Sequence, residues 1–434
     1  MTKTYEFRDP IHGYVELDEW ERDIINQPAF QRLRRIKQLA WTDMIYPGAT
    51  HSRFEHSLGV MHVATRLFDA LCKRNRAILE SELGYKMLER QRKLIRLAAL
   101  LHDIGHAPFS HAAEEILPID TDSEQHYTHE QYSAAIVQYA LRDVIESHPD
   151  NQKNYGFTVK DLSDFFLETP SPKNLLWRDL VSSQMDADRM DYLLRDAHHA
   201  GVAYGKYDLD RLAATVTVLE RPDKEGYTIG VEEDGVHAAE GLILARYMMF
   251  TQVYFHKTRI IYDYHLIEAL KEILRDSGGH LPPPNSAESI NDYLNWDDWR
   301  IFGVLAASGG DEHGRILRER KHYRLLRHTR EVPDLTELEW MDQIQTVLIE
   351  NQVNAVRRDA EKSWYKFEKL EDEVLVSKTG DGTDHHQSIP LSSLSPVVKG
   401  LQSVRQSRIY VPASQREMAE AIVRKLESTP ESRS

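Results

Sequence analysis

A mainly α-helical fold with a smaller α+β C-terminal part is what the sequence predicts. Helical periodicity runs through the first two thirds, two strand-like segments joined by a polar turn follow residue 212, and a mixed helix and strand pattern occupies the last hundred residues. The 434 residues allow two to three domains with a core that needs no disulfide staples.

From Phe54 to Leu71 the residues Leu58, Val63, Leu67 and Leu71 recur at helical spacing, an amphipathic pattern. Leu94 to Leu101 is apolar nearly all round, as in a helix at the centre of a bundle, and runs into His102-Asp103-Ile104-Gly105, where the glycine reads as a helix stop. Further helices are expected over Ser183–Ala197 and from Ala238 to about Leu274, with short strands over Ala213–Leu219 and Tyr227–Val231 between them. Ser277–Ser289, with Gly278, Gly279 and Pro282 to Pro284, reads as a loop and a boundary. Helices near Asn291–Ala307 and Arg315–Arg327 come next, then strand-like Val374–Ser377 and Arg408–Val411, a helix over Ser414–Leu426 and a polar tail. Trp364 and Tyr365 read as core or interface residues. The division expected is a core of 1–276, a connector of 277–330 and a C-terminal region of 331–434.

Composition narrows the function. Hydrophobic residues make up 41% and charged residues 28%, an ordinary globular mix. Against 69 acidic residues stand 54 basic ones, so the net charge of −15 gives no overall positive field for nucleic acid or an anionic membrane. The single cysteine, Cys72, allows neither an internal disulfide nor a thiolate metal site, which fits a reducing compartment. Met1 to Gly13 is charged and no run of 18 apolar residues occurs, so a soluble cytoplasmic protein is the expectation. Phosphate-cradling G-x-x-x-x-G-K-[ST] and G-x-G-x-x-G patterns do not occur.

Histidine carries the chemical signal. Eight of the 21 histidines fall between residues 51 and 129, interleaved with Asp103, Glu114 and Glu130, the donor types a divalent metal needs. The plain alternative is a set of capping and surface histidines. Three segments stand out: His51-Ser-Arg-Phe-Glu-His56-Ser-Leu-Gly59, Leu101-His102-Asp103-Ile-Gly-His106-Ala-Pro-Phe-Ser-His111, and Met185-Asp-Ala-Asp188-Arg-Met-Asp191-Tyr192. They resemble the HD-domain metal-dependent phosphohydrolases, whose H…HD…D pattern implies His56, His102, Asp103 and Asp188 as the ligands of one divalent ion and a helical bundle in which three different helices contribute the ligands. Two imidazoles and two carboxylates suit Mn, Mg, Fe or Zn, and the ion's identity is not legible.

Asp9-Pro-Ile-His-Gly13, Phe30-Gln-Arg-Leu-Arg-Arg-Ile-Lys-Gln38-Leu39, Thr128-His129-Glu130 and Asp188-Arg-Met-Asp-Tyr192-Leu-Leu-Arg-Asp196 bring the resemblance closer, to the deoxynucleoside triphosphate triphosphohydrolases of that superfamily. It spans about residues 5–275. It implies that His106, His111 and His129 line the phosphates and supply acid/base chemistry, with Glu114 and Glu130 orienting a histidine. It makes Arg53 and Arg189 phosphate clamps, sets Gln38 and Leu39 against the sugar, and brings His256 to the substrate from a later helix. Asp188, Tyr192, Arg195 and Asp196 lie at i, i+4, i+7 and i+8, so periodicity puts Tyr192 and Asp196 on the ligand-bearing face. Spacing leaves Asp188 and Asp191 as alternatives on that face, and the resemblance favours Asp188.

The function implied is cleavage of a dNTP to a deoxynucleoside and tripolyphosphate. Competing readings are a phosphodiesterase or phosphatase acting on another nucleotide, and a nucleotide sensor without turnover. The resemblance also implies a homodimer or homotetramer with a nucleotide activator. Gln31 and Arg34 match that pattern, whereas Asn26 stands where the animal enzyme of the family has a base-reading aspartate and Tyr5 where it has lysine.

Overall fold

In the computed structural model, which describes residues 3–167, 175–221, 226–362, 373–379 and 386–428, the first long helix starts where Glu55 accepts the backbone N–H of Ser52 at 2.9 Å. That helix, α1 (Arg53–Arg74), packs on α2 (Tyr85–Leu101), whose Leu94, Ile95, Leu97, Leu100 and Leu101 are at most 1% exposed. Each such leucine contributes about 1.5–3 kcal/mol of burial. Helix α3 (His129–Tyr139) is capped by Thr128, whose side chain accepts from Gln131 N–H, and α4 (Ala187–Ala200) by Asp186, which accepts from Arg189 N–H. Helix α4 lies against α1.

Gly105 is not the stop of α2. The helix ends at Leu101 and Gly105 has no positive φ. A Cβ there would sit 2.2 Å from Ser133 N and 2.3 Å from His129 O, so the glycine serves close approach to α3. Ser133 locks the contact: its hydroxyl donates to the His102 carbonyl at 2.7 Å and accepts Gly105 N–H at 3.0 Å.

Ahead of these helices is an antiparallel hairpin, β1 (Tyr5–Asp9) and β2 (Gly13–Leu17), with Asp9 opposite Gly13. It leads into a short helix, Glu19–Ile25, whose capping box pairs Asp18 with Glu21. Glu21 is fully buried and accepts from Lys93 at 2.9 Å and from Arg96 at 2.7 Å, which fastens the N-terminal segment to α2.

The strand expected at Ala213 starts at Val216. Ala213 to Thr215 finish a helix, Leu209–Thr215, in keeping with the helix preference of leucine and alanine. Val216–Glu220, Tyr227–Glu232, Leu375–Thr379 and His386–Pro390 form one sheet in that spatial order, with the middle pair parallel. The long helix expected from Ala238 is broken: Val236–Met249 gives way to a π-helical turn, Phe250–Tyr254, and His256 caps α5 (Lys257–Ile273). Thr251 and Val253, stiff at χ1, lower helix propensity there.

The helix expected over Arg315–Arg327 is α6 (Asp311–Glu319); Arg320 turns left-handed at φ 55°, and Arg324–His328 is a strand. It pairs with Val404–Val411, the centre of a three-stranded antiparallel sheet completed by Val356–Lys362. Leu325-Leu326 is an apolar pair that local pattern cannot assign, and sheet pairing decides it. Trp364, Tyr365 and most of the polar tail lie outside the described residues.

Two compact units interleave along the chain. The first comprises Met1–Met249, His280–Phe302 and Tyr365–Gly400, and holds α1 to α4. The second comprises Phe250–Gly279, Gly303–Trp364 and Leu401–Ser434; its core joins Ile261 of α5 and Ile316 of α6 to Tyr323 and Tyr410. Among the described residues no helix is long and apolar enough to cross a membrane.

Candidate metal centre

Three helices deliver four side chains to one point. His56 sits in the first turn of α1, His102 and Asp103 at the end of α2, and Asp188 in the first turn of α4. His56 Nδ1 pairs with Asp191 Oδ2 at 2.8 Å and His102 Nδ1 with the Ala99 carbonyl at 2.8 Å. When each Nδ1–H donates, each Nε2 is left as a bare lone pair. Both Nε2 atoms are buried and, among the described residues, have no hydrogen-bond partner of good geometry. Carboxylates surround them: Asp188 Oδ1 lies 3.1 Å from His56 Nε2 and 3.6 Å from His102 Nε2, and Asp103 reaches both rings at 3.3 Å.

These residues fit a divalent ion. Orphaned imidazole nitrogens facing two carboxylates form a pocket rich in acceptors; Arg53 donates to one oxygen of Asp103, and a cation satisfies the rest. His56, His102 and Asp103 bring ligand atoms within 4.8 Å of one another. Burial opposes a charge on His56, yet Asp103, Asp188 and Asp191 raise its pKa well above the ordinary value, so the cluster stabilises positive charge at that spot.

Asp188 and Asp191, indistinguishable by spacing, occupy opposite edges of the His56 ring. Asp191 is fully buried and also pairs with His12 Nε2 at 2.6 Å and with Arg195 through two contacts of 2.8 Å. Arg195 in turn reaches Asp9 at 2.8 Å. A continuous Asp9–Arg195–Asp191–His56 chain therefore links the hairpin turn to the centre. Gly59 makes room for it, because a Cβ there would lie 1.9 Å from Asp191 Oδ1 and 2.4 Å from Arg195 Nη2.

A second row of side chains stands beside the first. His106 stacks on His129 at 3.9 Å between ring centroids, and His111 meets both edge-on. Glu114 Oε1 lies 2.7 Å from His111 Nδ1 and 3.1 Å from His129 Nδ1, while Glu130 is 3.3 Å from His129 Nε2. Burial, Arg53 and His129 hold His106 well below the usual histidine pKa; for His129, burial is outweighed by Glu114, Glu130 and Asp103, and the pKa rises. The turn that carries His111 passes through Phe109 and Ser110, both at positive φ (60° and 58°). Asp298, 1% exposed, holds it by accepting Phe109 N–H at 2.7 Å and Lys37 N–H at 2.9 Å.

The remaining residues are placed as follows. Arg53 donates to Ser110 Oγ at 2.7 Å and to Asp103, and Arg189 pairs with Asp186 and the Ser183 carbonyl. Asp196 is buried against His51, with Oδ1 2.7 Å from Nε2, and burial pushes the Tyr192 hydroxyl up to about 12. Gln38 donates its N–H to the His51 carbonyl at 3.0 Å and keeps a buried Oε1 without a partner among the described residues; Leu39 is 6% exposed. His256 belongs to the other unit. Sequence reasoning gave no role to Asp9, His12 or Asp298; it kept Asp191 as the alternative ligand to Asp188 and set Arg195 on the same helix face. The Asp9-Pro-Ile-His12-Gly run did signal the first two, but nothing local marks Asp298.

A family model described as HD domain matches residues 53–196, and one described as HD associated region matches residues 208–429. The chain is 40% identical over 251 residues to "Uncharacterized protein YwfO" of Bacillus subtilis, covering 58% of this chain and 51% of that protein. It is 31% identical over 284 residues to "Deoxynucleoside triphosphate triphosphohydrolase SAMHD1" of Bos taurus, covering 60% and 46%. The chain thus spans about half the length of these curated relatives. Among solved structures, a hypothetical protein from Aquifex aeolicus superposes with a TM-score of 0.77 at 29% identity over 97% of this chain and all of that one. With the associated region matched across half its length, the chain belongs to the family of HD-domain proteins that carry an HD associated region.

Proposed function

We propose that the chain is a metal-dependent phosphohydrolase that cleaves a dNTP to a deoxynucleoside and tripolyphosphate. The observation that carries the reading is the pair of orphaned His56 and His102 Nε2 atoms facing Asp103 and Asp188, with the His106, His111 and His129 row beside them. The choice of a dNTP rests on the sequence resemblance and on relatives that bear that activity in their names.

His56, His102, Asp103 and Asp188 would hold the ion, which when bound supplies a Lewis acid and acidifies water. Arg53, Arg189 and Tyr192 offer donors to phosphate oxygens, more than one monophosphate needs. Arg189 leaves Asp186 and Ser183 to do so. His111 gives a proton to the departing sugar 5′-oxygen, a poor leaving group without one, while Glu114 holds its Nδ1 side. Gln38 and Leu39 bound the sugar, and Asp196 fixes His51 beneath them. By the same resemblance the chain assembles as a homodimer or homotetramer and responds to a nucleotide.

Hydrolysis in ¹⁸O-labelled water tests the reading. Label in tripolyphosphate and none in the deoxynucleoside is expected. Pyrophosphate with a dNMP, or orthophosphate with a dNDP, would give the site to a phosphodiesterase or phosphatase instead.

A further inference from the structure

The helix Asp298–Ala306 is capped by Asp297, whose Oδ1 accepts Arg300 N–H at 2.9 Å, so the Asp298 carboxylate is not needed for its own helix. It faces two distant segments instead. Oδ1 accepts Phe109 N–H at 2.7 Å and Oδ2 accepts Lys37 N–H at 2.9 Å, one oxygen to each segment. Burial opposes this arrangement and pushes the carboxyl up to about 7, against the lowering by the two N–H groups, Lys37 and Arg32. A carboxylate kept at a place so unfavourable to it serves something other than the local fold.

The same two segments are joined twice more. Ser110 Oγ donates to the Lys37 carbonyl at 2.8 Å while it accepts from Arg53 Nε at 2.7 Å. Trp41 stacks on Phe109 at 5.5 Å between ring centroids, and Phe302, from the Asp298 helix, meets the two edge-on at 5.4 and 5.3 Å. Lys37 directly precedes Gln38 and Leu39, and Phe109 stands just before Ser110 and His111.

We propose that Asp298 is a positioning residue that makes the Lys37–Leu39 segment and the Phe109–His111 turn one body, so that a sugar which does not fit against Leu39 displaces His111 and is penalised in the chemical step as well as in binding. The sugar half of this statement rests on the function proposed above. A carboxylate with one oxygen on each segment transmits a shift of one to the other, because in a buried place neither N–H has another acceptor to follow. An acid misplaced by about 1 Å loses roughly 100-fold in rate, so displacement of His111 adds to the crowding at Leu39.

The test measures kcat and KM separately, for a dNTP and the NTP of the same base, on the full chain with Mn²⁺. In the wild type the NTP should have a kcat at least about tenfold below that of the dNTP. Asp298→Asn, whose amide offers an acceptor to one segment and an N–H to the other, should lower the dNTP kcat roughly 10–100-fold, bring the kcat ratio of the two sugars close to one and leave their KM ratio as in the wild type. Asp297→Ala, which removes the helix cap and keeps the carboxylate, should lower thermal stability and retain the wild-type kcat ratio. Equal kcat for both sugars in the wild type, a wild-type kcat ratio in Asp298→Asn, or a collapsed ratio in Asp297→Ala overturns the coupling. The wild-type comparison stands even where Asp298→Asn does not fold, which circular dichroism establishes. Hydrogen exchange read by mass spectrometry follows the link without any chemistry: peptides holding Lys37 and Phe109 should gain exchange together in Asp298→Asn, and a gain in one alone overturns the single body. Products other than a deoxynucleoside and tripolyphosphate would remove the reaction proposed above, while joint exchange would leave the link between the two segments standing.

Discussion

Asp191 and Asp188 grip the same imidazole from opposite edges: Asp191 Oδ2 is 2.8 Å from His56 Nδ1, and Asp188 Oδ1 is 3.1 Å from His56 Nε2. The first contact sets which nitrogen is bare, and the second stands beside that nitrogen. Asp191 is therefore a positioning residue. Asp191→Asn should lower metal affinity roughly 10–100-fold while the helices persist, because partners behind a ligand typically carry that much. Chelator competition with parallel circular dichroism would measure it, and wild-type affinity in a folded variant would refute the role.

Gly59 allows α1 and α4 to meet over the Asp191–Arg195 pair. Adding one methyl in Gly59→Ala forces that pair apart, so a loss of roughly 1–3 kcal/mol is expected from overpacking alone. Urea unfolding would read the loss. A stability within error of wild type would mean that the pair moves at no cost.

Leu39, set against the sugar in the proposed reading, offers no partner to a 2′-hydroxyl. Crowding and leaving that group unpaired costs about 1–3 kcal/mol, roughly a 5- to 150-fold preference for dNTP over NTP in kcat/KM. Leu39→Ala should narrow the ratio towards one. Equal rates for both sugars in the wild type would remove Leu39 from any selective role.

Acid stability should depend on Glu21. Burial raises its pKa, but Lys93 and Arg96 outweigh burial and hold it at about 2 instead of 4.5. A carboxylate depressed in the folded state adds stability above its unfolded pKa and loses it as pH falls through the folded one. The window is thus about pH 4.5 down to 2, and the contribution is roughly 3 kcal/mol. Glu21→Gln should be destabilised at pH 7, with Lys93 and Arg96 left unpaired, and should lose that much less stability than wild type on acidification. Parallel acid arms in denaturant titrations at several pH values would contradict this.

Leu94 to Leu101 and the His102-Asp103 that ends it were legible because local periodicity and a dipeptide suffice to mark a buried helix with polar residues at its end. The set His56, His102, Asp103 and Asp188 came instead from the resemblance to the HD-domain phosphohydrolases, since a lone His-Asp dipeptide marks no ligand set by itself. The placing of Asp191 and Arg195 was not legible: they share the periodicity of α4, and only packing against Asp9 and Gly59 turns them towards the far edge of His56. Gly105 was misread as a stop because its close approach to α3 is a tertiary fact. The strand Arg324–His328 escaped because its partner, Val404–Val411, lies some eighty residues on. Local pattern reports what a segment can be, and distant pairing chooses among the options.

The hold of Asp298 on Phe109 has a consequence for the order in which the protein is made. The two residues are 189 positions apart. At a synthesis rate of 5–20 residues per second, roughly 10–40 s pass between the emergence of the turn and the arrival of the carboxylate that fastens it. The bundle helices have time to associate during that interval, while the left-handed Phe109–Ser110 step waits without its anchor. The last part of the site to become rigid on the ribosome is thus the turn that presents His111, and a nascent chain stalled before residue 298 carries the helices of His56, His102 and Asp188 with that turn unfastened.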